Sequence, residues 1–163
     1  MNGHKGLAFT AVTTAASPAT IPHLVVGYDG SPPARRALDA AVVLLHGRTG
    51  RIDVVYVAHL PGVAVEPPVA TVGIEPGLDQ IEQELRAQAA EQLRDCGAAW
   101  GFERRQGNIA HELIAVAAGI REANPDGFVV VVVGSSSQAI HRVAGSVAVG
   151  LGRHPPVPVL IVP

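Results

Sequence analysis

The residues of this chain best suited to chemistry lie in one loop, Gly134-Ser-Ser-Ser-Gln-Ala-Ile-His-Arg-Val-Ala-Gly145-Ser146. Glycine lets backbone N–H groups approach an anion closely, serine adds hydroxyl donors, and a helix mouth adds the positive end of its dipole. The chemistry on offer is the holding of phosphate. Gly134 and Ser135 open the loop, and Gly145, Ser146 and Val147 close it at the start of a helix. The hydroxyls of Ser135 to Ser137 either donate to an anion or simply make a polar loop, and both readings stand. His141 and Arg142 follow them, as possible anion partners or as solvated charges. Asp29, at the end of an early apolar run, reads as a ligand-binding carboxylate ahead of a plain turn-former.

Composition removes several other chemistries. The only lysine is Lys5, so the phosphate-gripping lysine of a Walker loop and Schiff-base chemistry both lack their residue. The seven histidines include no pair at metal-binding spacing, and no zinc is expected. A net charge of −2 gives no global field for nucleic acid, and no apolar run reaches the length of a membrane span. One cysteine, Cys96, cannot form an internal disulfide, which fits a cytoplasmic protein.

The elements that must position the loop follow from periodicity. Five valines, Val129 to Val133, read as a strand buried on both faces. His23 to Asp29 and Ile52 to Ala58 read as two earlier strands, and Val157 to Val162 as a last one, which Pro158 places at an edge. Phe102 to Gln106 carries Glu103, Arg104 and Arg105, a charge load suited to the other edge. Ser31 followed by Pro32 and Pro33 starts a first helix, with Ala34, Ala37, Leu38, Ala41, Val42 and Leu45 as its apolar stripe. A second helix is expected from Leu78 to Cys96, with Leu78, Ile81, Leu85, Ala89 and Leu93 inward. Asn108 caps a third, whose core face is Ile109, Leu113, Ala117 and Ile120, and Ser146 to His154 forms a short fourth. Residues 1–21 read as a flexible N-terminal extension, and His59 to Gly77 as a long proline-rich loop. Alternating strands and helices predict one α/β domain over residues 22–163, a parallel sheet with helices on both faces. Ligands in such folds sit beyond the carboxyl ends of the strands.

Three segments resemble the universal stress protein family: Val26-Gly-Tyr-Asp-Gly-Ser31, Gly134-Ser135, and Gly145-Ser-Val147 leading to Arg153-His-Pro-Pro-Val-Pro-Val-Leu-Ile-Val162. The resemblance implies a five-stranded sheet in the order 3-2-1-4-5, Rossmann-like and of the adenine-nucleotide alpha-hydrolase type. It implies a homodimer through Val157–Val162, and in many members ATP or AMP, with Mg, as ligand. It also assigns Asp29 and Val57 to the adenine and ribose, and Gly134, Ser135, Ser137, Gly145, Ser146 and Val147 to the phosphates. Nucleotide-binding members carry Gly-x2-Gly-x9-Gly-Ser/Thr. Here Ser137 replaces the second glycine, and seven residues rather than nine separate it from Gly145.

The expected function is therefore a stress-response binding module with a degenerate adenine-nucleotide site. The alternative is a nucleotide-independent dimerisation and interaction domain of the same fold. Catalysis is not expected beyond weak ATP hydrolysis, since Asp29 is the one carboxylate near the loop.

Overall fold

The computed structural model describes residues 21–58, 75–135 and 157–163. The elements are β1 (Pro22–Gly27), α1 (Pro32–Leu45), β2 (Arg51–Ala58), α2 (Glu75–Gln92), β3 (Ala99–Gln106), α3 (Ile109–Ala123), β4 (Phe128–Gly134) and β5 (Val159–Val162). All strand pairings are parallel, and the order is β3-β2-β1-β4-β5. The chain steps outward from β1 to β3, then crosses back past β1 to β4. The strand order reverses between β1 and β4, and in such folds ligands sit at the carboxyl ends there.

Strand alternation sorts the core into two layers. Leu24, Val26, Ile52, Val54, Val130 and Val132 point to one face and pack on α1 and α2. Val25, Val55, Val57, Val129, Val131 and Val133 point to the other and pack on α3. This is why β4 is an unbroken valine run: both of its faces are covered, so no position is left for a polar residue. Full burial of each valine contributes roughly 1.5–3 kcal/mol relative to exposure.

Local signals set the helix starts as expected. Ser31 Oγ accepts from the Ala34 N–H at 3.4 Å, and Asn108 Oδ1 accepts from the His111 N–H at 3.1 Å. Both expected edge strands lie at the edges, β3 on one side and β5 on the other.

Several boundaries and faces differ from expectation. β3 begins at Ala99, three residues before Phe102, because its first half pairs with Arg51 to Asp53 and needs no apolar alternation to do so. α2 begins at Glu75, so the last residues of the expected proline-rich loop are helical, and it ends at Gln92 with Leu93 in the following turn. Ile81 is exposed rather than inward, whereas Leu78, Leu85, Ala89 and Leu93 are buried. In α3 the buried face is Ala110, Leu113, Val116 and Ala117, with Ile109 and Ile120 half-buried at its margins. β5 pairs from Val159 rather than Val157, although the Pro158 carbonyl still accepts from Val131 N–H at 3.0 Å. The expected helix Ser146 to His154 lies outside the described residues.

Candidate functional site

The carboxyl edge of the sheet gathers the first part of the expected site. Register places Gly27 beside Val55 and Val26 beside Val132, so Asp29 stands level with Val57, and Gly134 level with Tyr28. Neighbouring strands are about 4.8 Å apart, which puts Asp29, Val57, Gly134 and Ser135 within the reach of one nucleoside-sized ligand.

Asp29 is exposed, and one of its oxygens is already in use. Oδ1 accepts from the Ser31 N–H at 3.0 Å, closing the turn that starts α1. The turn needs glycine at its centre: Gly30 has φ +76°, and a Cβ there would lie 2.7 Å from Leu85 Cδ2. Arg35 fastens it further, with Nε donating to the Gly30 carbonyl and Nη2 to Gln88 Oε1, each at 3.0 Å. Asp29 is thus both turn-former and available carboxylate, since among the described residues no hydrogen bond involves Oδ2.

Val57 is buried on the α3 face. Beside it the ends of β2 and β3 are tied by the Gly107 N–H donating to the Ala58 carbonyl at 3.2 Å. Gly134 has a different reason to be glycine than a phosphate cradle gives. A Cβ there would lie 2.2 Å from the Pro33 carbonyl oxygen, because the end of β4 runs against the first turn of α1. The Ser135 N–H is also engaged, donating to the Val162 carbonyl at 2.7 Å. Ser137, Gly145, Ser146 and Val147 lie outside the described residues.

Tyr28 is the feature of this edge that sequence reasoning missed. It precedes Asp29 and is buried in the α1 layer, with its hydroxyl near the Arg35 guanidinium but without an aligned hydrogen bond. Burial pushes its phenol above the ordinary value of 10.0; the nearby Arg35 guanidinium pulls it down, and Asp29 and Asp39 raise it. An aromatic residue at the last inward position of a central strand was the available signal. Among the described residues no group of three His, Cys, Asp or Glu side chains is placed to hold a metal. No helix among them is long and apolar enough to cross a membrane.

A five-stranded parallel sheet in this order is an adenine-nucleotide alpha-hydrolase-like fold. A sequence model described as the universal stress protein family matches residues 20–163, and the chain belongs to that family. Comparison with curated protein sequences gives no match. Among solved structures, a universal stress protein family member from Burkholderia pseudomallei is 27% identical, with 86% of this chain and 95% of that one covered and a TM-score of 0.60. A universal stress protein in complex with cAMP is 23% identical, covering 90% of this chain and 99% of that one, with a TM-score of 0.56. An Arabidopsis thaliana family protein with AMP bound is 13% identical, covering 86% and 90%, with a TM-score of 0.54.

Proposed function

We propose that this chain is a non-catalytic stress-response module that holds an adenine nucleotide at the carboxyl ends of β1, β2 and β4. The observation that carries the reading is Asp29, an exposed carboxylate at the point where the strand order reverses. Its Oδ2 would take a ribose hydroxyl or an adenine amino group, with Val57 beside the base. Gly134, Ser135, Ser137, Gly145, Ser146 and Val147 would line the phosphates, with Mg shared by ATP. Support comes from the two similar structures that hold cAMP and AMP. The shorter loop, with Ser137 in place of glycine, favours AMP or cAMP over ATP, because a tighter loop leaves less room for a triphosphate and serine resists φ > 0.

Titration calorimetry with AMP, cAMP and ATP-Mg tests this. Binding of AMP or cAMP that Asp29→Ala weakens at least about tenfold is expected. Silence with all three nucleotides at millimolar concentration would instead favour the second reading, a nucleotide-independent interaction domain. The specific observation behind that alternative is the altered loop itself, which has lost a glycine and two residues of spacer. In both readings the protein is a cytoplasmic homodimer joined along β5, with at most weak ATP hydrolysis. The edge chemistry supports that choice: β5 offers an exposed Ile161, while β3 carries charge.

A further inference from the structure

The sheet's α3 face holds a second feature that the nucleotide reading does not use, running from the amino ends of β1 and β2 toward Arg105, the register partner of Val57. α3 packs chiefly over β4 and β1. Over β2 and β3, a cavity of about 350 Å³ opens between the strands and the C-terminal half of the helix. Its two walls differ sharply in chemistry. The helix wall includes Ala115, Gly119 and Ala123, one turn apart and without a polar side-chain atom. The strand wall carries His23, Arg51, Asp53, Glu103 and Arg105.

The strand wall is organised into two sets of opposed charges. Asp53 accepts from Arg51 Nε at 2.7 Å through Oδ1, and its Oδ2 lies 3.4 Å from His23 Nδ1. The Arg51 guanidinium reaches bare backbone of β3: a Cβ on Gly101 would come within 2.6 Å of its Nη2. Two and four residues beyond Gly101, Glu103 and Arg105 make the second set, with Arg105 Nε 2.6 Å from Glu103 Oε1. That nitrogen is buried, and the contact lacks hydrogen-bond alignment, so its N–H has no acceptor. A buried N–H without an aligned acceptor can still gain a hydrogen bond from a correctly placed oxygen.

The charges select the class of ligand. Two arginines offset two carboxylates, so a polyphosphate would face Asp53 and Glu103, and a simple cation would face both guanidinium groups. A molecule carrying both signs can set each of its charges beside an opposite one, which neither a polyphosphate nor a simple cation can do. Arg105 stands opposite Val57, four residues beyond Asp53. That is about 13 Å of strand, which the length of the arginine side chain shortens to the span of a dipeptide. We propose that this cavity binds a dipeptide-sized zwitterion, with its carboxylate on Arg105 and its ammonium on Asp53. The apolar helix wall accepts the side chains.

L-alanyl-L-alanine is the probe, followed by calorimetry on the full chain. Saturable binding by about 10 mM is expected, with N-acetyl-L-alanine, which lacks the ammonium, at least about tenfold weaker. Gly119→Leu fills open space at the helix wall, where a Cβ meets nothing within 4 Å. Leucine is the better helix former, so this variant should melt no lower than the parent while losing the dipeptide. Arg105→Gln should weaken binding at least about tenfold, and Asp29→Ala should leave it unchanged. No saturable binding of the dipeptide, equal binding of the acetylated control, or undiminished binding to a folded Gly119→Leu protein would each overturn the proposal. Nucleotide titration of the same Gly119→Leu protein reads the Asp29 site separately, so failure at one site is not mistaken for failure at the other.

Discussion

Gly134 shows how one residue can serve the fold under the appearance of serving a ligand. Its place at the head of a small-residue loop suggests a phosphate cradle, yet its hydrogen replaces a methyl that would collide with the Pro33 carbonyl. Gly134→Ala should therefore destabilise the protein by about 1–3 kcal/mol through overpacking, read as a lower urea midpoint. Because the clash is with backbone, the loss should already be present in full without nucleotide. Tyr28 makes the complementary case. Its buried hydroxyl lies near the Arg35 guanidinium without an aligned hydrogen bond, so Tyr28→Phe removes a poorly satisfied group and should hold or raise the melting temperature. The raised phenol pKa gives this a pH signature. Below pH 10.0 both states keep the proton and the contribution is constant. Above it the unfolded chain ionises first, so stability falls as pH climbs toward the folded value, and the phenylalanine variant should lose that part of the slope.

Elements whose ends are marked by a side chain binding the backbone were legible, and those set by distant partners were not. Asn108 accepts from the His111 N–H, and its type and position before an apolar helix announced that role. Asn108→Ala should cost about 1 kcal/mol, measured by chemical denaturation. α2 has no comparable marker. Its faces are settled by the sheet beneath, which takes Leu85 and Ala89 and leaves Ile81 in water. β3 is the sharper lesson. Its consecutive charges suggested an edge, which it is, but not that alternate residues go to opposite faces. Arg104 turns toward α2 and meets Asp79 at 2.7 Å and Glu82 at 3.4 Å, while Glu103 and Arg105 turn to the other side and line the cavity. The candidate nucleotide site was legible in the same uneven way. Asp29 stands where strand and turn signals put it, whereas Tyr28 escaped notice because its importance comes from helices packed over it.

At the scale of the molecule, a five-stranded open sheet has two edges, and their chemistry decides which one can meet another chain. The β3 edge is loaded with charge from Glu103, Arg104 and Arg105, which blunts it against strand pairing. The β5 edge is short and begins after a proline. It is braced from within: β4 pairs along one side, and Arg36 on α1 donates to the Pro163 carbonyl at 2.7 Å. Toward solvent it presents Ile161, 43% exposed. Two copies related by a two-fold axis would lay β5 against β5 antiparallel and bury both isoleucines, a contact that closes on itself and leaves no free edge to propagate. Ile161→Asp places like charges against each other in that pairing while leaving the folded chain intact, because the side chain is not part of the core. Sedimentation should show the parent as a dimer, and the variant with its dimer dissociation constant raised at least about tenfold at an unchanged melting profile of the monomer. A parent that sediments as a monomer, or a variant that dimerises as well as the parent, would place the self-association surface elsewhere than β5.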